Sequence, residues 1–290
     1  VVAEATGMLS RKHYRRGFGL SSIGKKVKES IALIQKYRDE ALFFDERGYA
    51  VGFSGGKDSI VIAKLVEMAN VPFELSYSQT TIDPPELLAF IKEVYPQTKW
   101  LHPKKGFFAR LPERLLPTRD CRWCCQEYKE NSREHRVVLL GIRQAESPRR
   151  KSQWKEYTPF GNGFGLLPIL RWSDEDVWEF IDNEGLRYCL LYDEGFNRLG
   201  CVGCPMASTK QRIVEFRRWP GFGRAWRASI FRWYERHKGK LTKKGKPYFL
   251  CERCDSPEDL WFWWLFEGKF VGPETRKCVD ELLRKRCCEN

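Results

Sequence analysis

The sequence predicts an α/β protein built on a mostly parallel twisted sheet with helices on both faces, followed by a basic helical extension. Three observations predict it. Short apolar runs suited to strands alternate with longer runs of helical periodicity. The first strand-like run passes through a Ser-Gly-Gly turn directly into a helix. Arg136-Val137-Val138-Leu139-Leu140-Gly141-Ile142 is apolar on both of its faces, as in a strand buried within a parallel sheet.

The elements follow in order. From Ile23 to Leu42, apolar residues recur at helical spacing among Lys and Glu, which predicts an amphipathic helix leading into the core, and Glu46-Arg47-Gly48 predicts a turn. Tyr49-Ala50-Val51-Gly52-Phe53 is the first strand, and Ile60 to Val66 lies in a buried helix. Phe73 to Ser78 offers a second strand, Pro84 to Tyr95 a helix begun by prolines, and Lys99 to Leu101 a third strand. A further helix runs through Lys129 before the strand at 136–142. Ser173 is placed to cap a helix reaching about Asp182, with Asp176 three residues on completing a capping box and Gly185 ending it. Beyond Pro205 come two arginine-rich helical segments, a Lys-rich turn near Lys240 to Lys246, and an aromatic tail containing cysteines. The expected organisation is an N-terminal helical lead-in over 1–45, an α/β domain with a cysteine cluster over 46–206, and a basic, aromatic extension over 207–290.

A chain of 290 residues buries a sizeable core without disulfide support. Its formal charge of +13 points to a polyanionic partner, with nucleic acid first and a merely solubilising surface as the plain alternative. Val1-Val2-Ala3-Glu4 lacks a charged-then-apolar leader pattern, and the longest apolar stretch, Trp261 to Phe266, is far too short to cross a bilayer; a cytoplasmic protein with no membrane partner is expected. Eleven cysteines in a reducing compartment point to metal or sulfur chemistry before disulfides.

The chemistry begins at Ser54-Gly55-Gly56-Lys57-Asp58-Ser59. Two adjacent glycines let backbone approach a ligand, and the helix that follows presents free N–H groups and partial positive charge to an anion. Ser54 and Ser59 add hydroxyls, Lys57 a compact charge, and Asp58 a carboxylate for capping or for a magnesium-bound water. The spacing differs from the ordinary nucleotide P-loop, which has four residues between its glycines. With its preceding strand and following helix, the hexapeptide resembles the pyrophosphate loop of the N-type ATP pyrophosphatases. The resemblance implies that the loop grips the β and γ phosphates of ATP, with Mg2+, while a nucleophile attacks the α-phosphorus; Lys57 and Asp58 are the candidate catalytic residues.

Later segments widen the resemblance to the phosphoadenosine phosphosulfate reductase family: Thr80-Thr81-Ile82-Asp83, Arg122-Trp123-Cys124-Cys125 with Lys129, Gly141-Ile142-Arg143-Gln144-Ala145-Glu146-Ser147 with Arg150, Trp172 with Asp176-Val177-Trp178, and Leu191-Tyr192-Asp193-Glu194-Gly195 running into Gly200-Cys201-Val202-Gly203-Cys204-Pro205. Gly141 and Arg143 sit at the end of a strand, where open α/β sheets bind ligands, so Arg143 and Arg150 are candidates to fork onto phosphate oxygens, with Ser147 adding a hydroxyl. Thr81 and Asp83 are candidates for ribose or base, although a polar cap before Pro84 explains them almost as well.

Cys201-x-x-Cys204 is a ligand pair, and Cys121, Cys124 and Cys125 offer a second, with one of the three spare. All-thiolate ligation suits zinc or an iron-sulfur cluster, and spacing does not separate them. In the reductases that carry a 4Fe-4S cluster the ligands are a tandem Cys-Cys plus a later Cys-x-x-Cys, so the resemblance implies a cluster on Cys124, Cys125, Cys201 and Cys204. Cys251-x-x-Cys254, with Cys278, Cys287 and Cys288, suggests a small zinc site or a terminal redox dithiol.

Two enzyme classes remain. The reductases carry a nucleophilic cysteine in a C-terminal Glu-Cys-Gly-Leu motif absent from this sequence, and tend to depart from the full loop pattern that this sequence keeps. The preferred expectation is an ATP-consuming sulfur-transfer enzyme, similar to the ATP-pyrophosphatase component of DNA phosphorothioation systems or to transfer-RNA thiolases. Its partners would be DNA or tRNA, a cysteine desulfurase as sulfur donor, and other subunits of a modification complex. Arg217, Arg218, Arg224, Arg227 and Arg232, interleaved with Trp219, Phe222, Trp226, Trp233 and Tyr234, supply a candidate nucleic-acid face; the plain reading is an amphipathic helix pair with core aromatics. A non-catalytic nucleotide-binding iron-sulfur subunit is the third possibility.

Overall fold

The structure, a computed structural model, describes residues 22–130, 135–147, 152–242 and 244–284. Residues 1–21 of the lead-in, Arg150, Cys287 and Cys288 lie outside the described residues.

The lead-in forms two helices, α1 (Ser22–Lys36) and α2 (Arg38–Phe44), where the sequence predicts one. The break has a cause. The Tyr49 hydroxyl donates to the Ile34 carbonyl at 2.6 Å, taking the acceptor that the next helical N–H would use, and the Tyr37 ring stacks on Tyr157 at 4.3 Å.

Six strands make one sheet in the order β3-β2-β1-β4-β6-β5. They are β1 (Tyr49–Gly52), β2 (Phe73–Ser78), β3 (Lys99–Leu101), β4 (Val137–Leu139), β5 (Tyr157–Phe160) and β6 (Gly163–Leu166). All neighbours are parallel except β5 against β6, so the sheet is mostly parallel as expected. β5 and β6, a hairpin rich in Gly with Pro159 on its edge strand, went unrecognised in the sequence because that composition reads as loop. The strands expected at 73–78 and 99–101 stand at those residues; within the run at 136–142 the strand is Val137–Leu139, with the Leu140 N–H also donating to Leu166 O at 3.0 Å. Arg136 accepts from the Phe164 N–H with its carbonyl and turns its buried guanidinium to the Gly48 and Tyr49 carbonyls.

β1 feeds α3 (Lys57–Met68) and then β2 on one side, while the chain leaving β4 continues to β6 on the other. The crevice between the ends of β1 and β4 is therefore the topological switch point, where doubly wound sheets take ligands. α4 (Pro85–Val94) follows β2, and the helix Asp174–Asn183 opens with the capping box expected at Ser173 and Asp176.

The extension packs into the same apolar cluster as the sheet, which runs from Ile23 to Val279. Its helices Thr209–Arg218, Pro220–His237 and Pro257–Leu265 bury Phe216, Trp226, Trp233, Trp261 and Trp264. Arg212, only 2% exposed, ties them together by donating to the Ala207 and Trp264 carbonyls at 3.1 and 2.6 Å while its guanidinium lies 4.9 Å over the Trp264 ring. No helix among the described residues is long and apolar enough to cross a membrane.

Because Arg212→Met leaves those buried carbonyls without a donor, it should lower the unfolding free energy by about 3 kcal/mol, read from urea melts. A midpoint equal to that of the parent protein would contradict this account.

Candidate functional site

The loop after β1 forms the turn its glycines predict. Gly55 has φ of +70°, and a Cβ there would stand 2.8 Å from Ile91 and Leu87 side-chain atoms on α4, so both its backbone conformation and its close packing call for glycine. Gly56 is the N-cap of α3. The Ser59 hydroxyl donates to the Gly56 carbonyl at 2.8 Å and accepts from the Ser54 N–H at 3.2 Å, which locks the loop from inside. The Lys57 N–H, at the first turn of α3, donates to the Tyr192 hydroxyl at 2.9 Å.

Four charges meet beside this loop. Arg143, 2% exposed, donates from Nε to Asp58 Oδ1 at 2.6 Å and from Nη2 to Asp174 Oδ1 at 2.8 Å. Lys57 Nζ lies 3.1 Å from Asp174 and 3.7 Å from Asp58. Burial raises the tendency of Asp174 to hold a proton, but Lys57 and then Arg143 outweigh it and keep the carboxyl below its ordinary range. Gly141 makes the cluster possible: a Cβ there would stand 3.0 Å from Asp58 Cβ and 3.2 Å from its carbonyl carbon.

The structure thus gives Arg143 partners other than those the sequence suggests. Its fork grips two carboxylates of the protein, and the cationic reach toward a ligand falls to Lys57, itself buried with its ammonium against Asp174. Asp174 and Tyr192 are the residues that sequence reasoning missed. Asp174 reads as one more acidic residue in a helix's first turn, and Tyr192 as an aromatic in a loop; the signal available was their place inside segments already singled out. Ser147 is half-buried four residues beyond Arg143.

Thr80, Thr81 and Asp83 close a turn of their own. Asp83 accepts from the Thr80 N–H and hydroxyl, both at 2.8 Å, and the Thr81 hydroxyl accepts from the Phe107 N–H at 2.8 Å. Thr81 holds φ of +65°, costly for a β-branched residue. This turn meets the cysteines: the Val202 N–H donates to Ile82 O at 2.7 Å, and Cys201 Sγ lies 3.4 Å from the Thr80 hydroxyl.

The adjacent Cys125 thiol, and then burial, push the Cys124 thiol well above its ordinary range, and burial also pushes the Cys121 thiol up. Lys129, half-buried, stands among Cys201, Asp83, Cys125 and Cys204, which hold its ammonium protonated. The extension supports the same place. Trp226 Nε1 donates to Val202 O at 2.9 Å and Glu215 accepts from the Gly203 N–H at 2.7 Å. Among the described residues, no three His, Cys, Asp or Glu side chains stand close enough together to hold a single metal ion, and this includes the surroundings of Cys251 and Cys254.

The expected nucleic-acid face is largely internal. Trp219, Trp226, Trp233 and Tyr234 are buried and offer no ring to a base, because they fill the seam between the helices and the sheet domain. Arg218 pairs with Glu86 and Glu194, Arg227 with Glu258 and Asp280, and Arg232 donates to Phe108 O and Ser229. Arg217 is half-buried; Arg224 is exposed.

Residues 48–207 match the family model described as the phosphoadenosine phosphosulfate reductase domain. The chain belongs to that family. Within and around it, an uncharacterized protein of Methanocaldococcus jannaschii is 32% identical over 199 residues, covering 64% of this chain and 48% of that protein. An adenosine 5′-phosphosulfate reductase of Geobacillus kaustophilus is 27% identical over 199 residues, covering 62% of this chain and 81% of the reductase. The chain spans about half the length of the archaeal relatives it matches, a second of which is 28% identical over 233 residues. Among solved structures, the phosphoadenylyl-sulfate reductase of Candida auris in a phosphate complex superposes with a TM-score of 0.44 at 17% identity, covering 64% of this chain and 98% of that one. The FMN adenylyltransferase of Candida glabrata in complex with ATP gives 0.45 at 17%, covering 65% and 66%.

In this family member, Gly141→Val should push Asp58 off Arg143 and weaken nucleotide binding at least about 10-fold in calorimetric titration, since the displaced carboxylate leaves a buried guanidinium half-paired. Unchanged affinity would show that the close approach of β4 to the loop has no bearing on the ligand.

Proposed function

We propose that the protein is an ATP pyrophosphatase of the phosphoadenosine phosphosulfate reductase family that adenylylates a nucleic-acid oxygen for replacement by sulfur, as in DNA phosphorothioation or tRNA thiolation. The observation that carries this reading is the complete loop Ser54–Ser59 with Lys57, Asp58 and Asp174 gathered at its mouth by Arg143. A polyphosphate needs a cation and N–H donors, and its counter-ion needs oxygen ligands; both sets lie within one cluster.

On this reading the β and γ phosphates settle at the start of α3. Lys57 Nζ exchanges its carboxylate partners for phosphate oxygens, and Tyr192, whose buried hydroxyl keeps its proton well above the usual phenol range, donates to a phosphate oxygen while still accepting the Lys57 N–H. Asp58 and Asp174 offer the carboxylate oxygens that suit Mg2+, which when bound would offset charge on the phosphates. An oxygen of the acceptor forms a bond to the α-phosphorus. The bond to the bridging oxygen breaks and pyrophosphate departs with the electron pair, its charge met by Lys57. The terminal sulfur of a persulfide from a cysteine desulfurase then bonds to the acceptor as AMP leaves, and a thiol cleaves the resulting S–S bond, leaving the sulfur on the acceptor and forming a disulfide with the donor cysteine.

Cys124, Cys125, Cys201 and Cys204 would hold a 4Fe-4S cluster. All four are free, half-buried thiols, and all-thiolate ligation suits an iron-sulfur group as it suits zinc. When bound, such a group supplies a one-electron store or a fixed anchor for the cysteine loops, and Lys129 would balance its negative charge.

Lys57→Ala or Asp58→Asn should lower pyrophosphate release from ATP, measured with DNA or tRNA present, by about 100-fold or more while leaving the melting temperature within a few degrees. Retained release in both variants would overturn the reading. The similarity to adenosine 5′-phosphosulfate reductases favours one competitor: thioredoxin-dependent sulfite release from a sulfonucleotide, with no pyrophosphate from ATP, would establish that chemistry instead. After anaerobic purification Cys201→Ser should lose iron and sulfide while Cys121→Ser keeps both; zinc alone in the parent protein would refute the cluster.

A further inference from the structure

The arginines of the two long C-terminal helices mostly face partners inside the molecule, but the cations that follow them do not. From Arg236 to Arg253 the sequence holds seven Lys and Arg against one carboxylate, Glu252. Lys238, Lys240, Lys244, Lys246 and Arg253 are exposed, and none has a carboxylate partner among the described residues. Lys238 and Lys240 precede, and Lys244 and Lys246 lie within, the stretch closed by the antiparallel bridge of Leu241 with Pro247. Beside it in the chain, Phe249 is 60% exposed, and Phe270 46% exposed; the Arg253 guanidinium lies 5.2 Å from one ring centroid and 5.5 Å from the other. At the foot of this stretch is a cavity of about 260 Å³ lined by His237, Lys240, Leu241, Tyr248, Cys251 and Glu252.

Resting on the reading that the acceptor is nucleic acid, we propose that a single-stranded nucleic acid docks on this ledge, not on the Arg217 to Arg232 face, with phosphates against Lys240, Lys244 and Lys246 and bases against Phe249 and Phe270. Uncompensated lysines are the charge complement of a phosphodiester backbone, which neutralisation relieves of its condensed counter-ions. Exposed rings give unpaired bases the flat apolar surface that they lack in water, and Arg253 extends that surface with its own plane. Paired bases in a duplex present no free face to such rings, which is why the partner is single-stranded. The buried tryptophans of the long helices offer neither feature.

The test is fluorescence anisotropy of labelled oligo-dT and oligo-U with the full chain, without ATP, across a salt series. Lys240→Glu/Lys244→Glu/Lys246→Glu should weaken binding more than about 10-fold and lower the slope of log affinity against log salt by about 2, because each single-strand phosphate contact contributes about 0.7. Phe249→Ala should weaken binding about 5-fold with the slope unchanged. Arg224→Glu, on the exposed side of the preceding helix, should stay within about 2-fold of the parent protein. Binding of either oligomer that the triple variant loses supports the ledge. Parent-like binding by the triple variant, weakening by Arg224→Glu alone, or binding of phosphatidylserine vesicles without either oligomer would overturn it. Omitting ATP separates the two claims: failure of pyrophosphate release leaves these affinities untouched, and failure here leaves ATP turnover standing.

Discussion

The bridge that Arg143 makes between Asp58 and Asp174 is the constraint on which the site depends. A guanidinium buried to this degree is tolerable only with its charge matched, and the two carboxylates come from opposite sides of the switch crevice: one from the helix after β1, the other from the helix Asp174–Asn183. The pair of contacts therefore joins two halves of the sheet domain and leaves Lys57 facing the crevice between them. Gly141 permits the approach, and the capping box at Ser173 fixes the helix that delivers Asp174.

A second dependence runs from the extension to the cysteines. The Cys201–Cys204 turn has little regular structure of its own, and its backbone is held by Trp226 and Glu215 from helices that follow it and by Ile82 from the turn after β2. Aromatic bulk in the extension thus positions the turn. That accounts for a tail in which Trp226, Trp261 and Trp264 stack closely enough to form a rigid brace.

Much of this was legible in the sequence. The parallel order of β1 to β4, the loop Ser54–Ser59, the capped helix at Ser173 and the two cysteine segments each have a local signature: apolar run, glycine pair, capping residues, spacing. What stayed hidden depends on distant partners. Asp174 became part of the site only because Arg143 reaches it across the fold. The break at Tyr37 needs the Tyr49 hydroxyl, and the β5–β6 hairpin has no apolar alternation to announce it. The Arg and Trp pattern after Lys210 was ambiguous for the same reason, since helical spacing is the same whether a tryptophan faces core or solvent, and burial settled it for the core.

The Tyr192 hydroxyl that caps Lys57 also links two parts of the domain. Tyr192 precedes Cys201 by nine residues, and the segment between them runs from beside the Ser54–Ser59 loop to the Cys201–Cys204 turn. The Lys57 amide is already engaged by that hydroxyl, and the chain that carries Tyr192 runs on to the backbone held by Trp226 and Glu215. The first turn of α3 and the Cys201–Cys204 turn are therefore joined through one short stretch of chain.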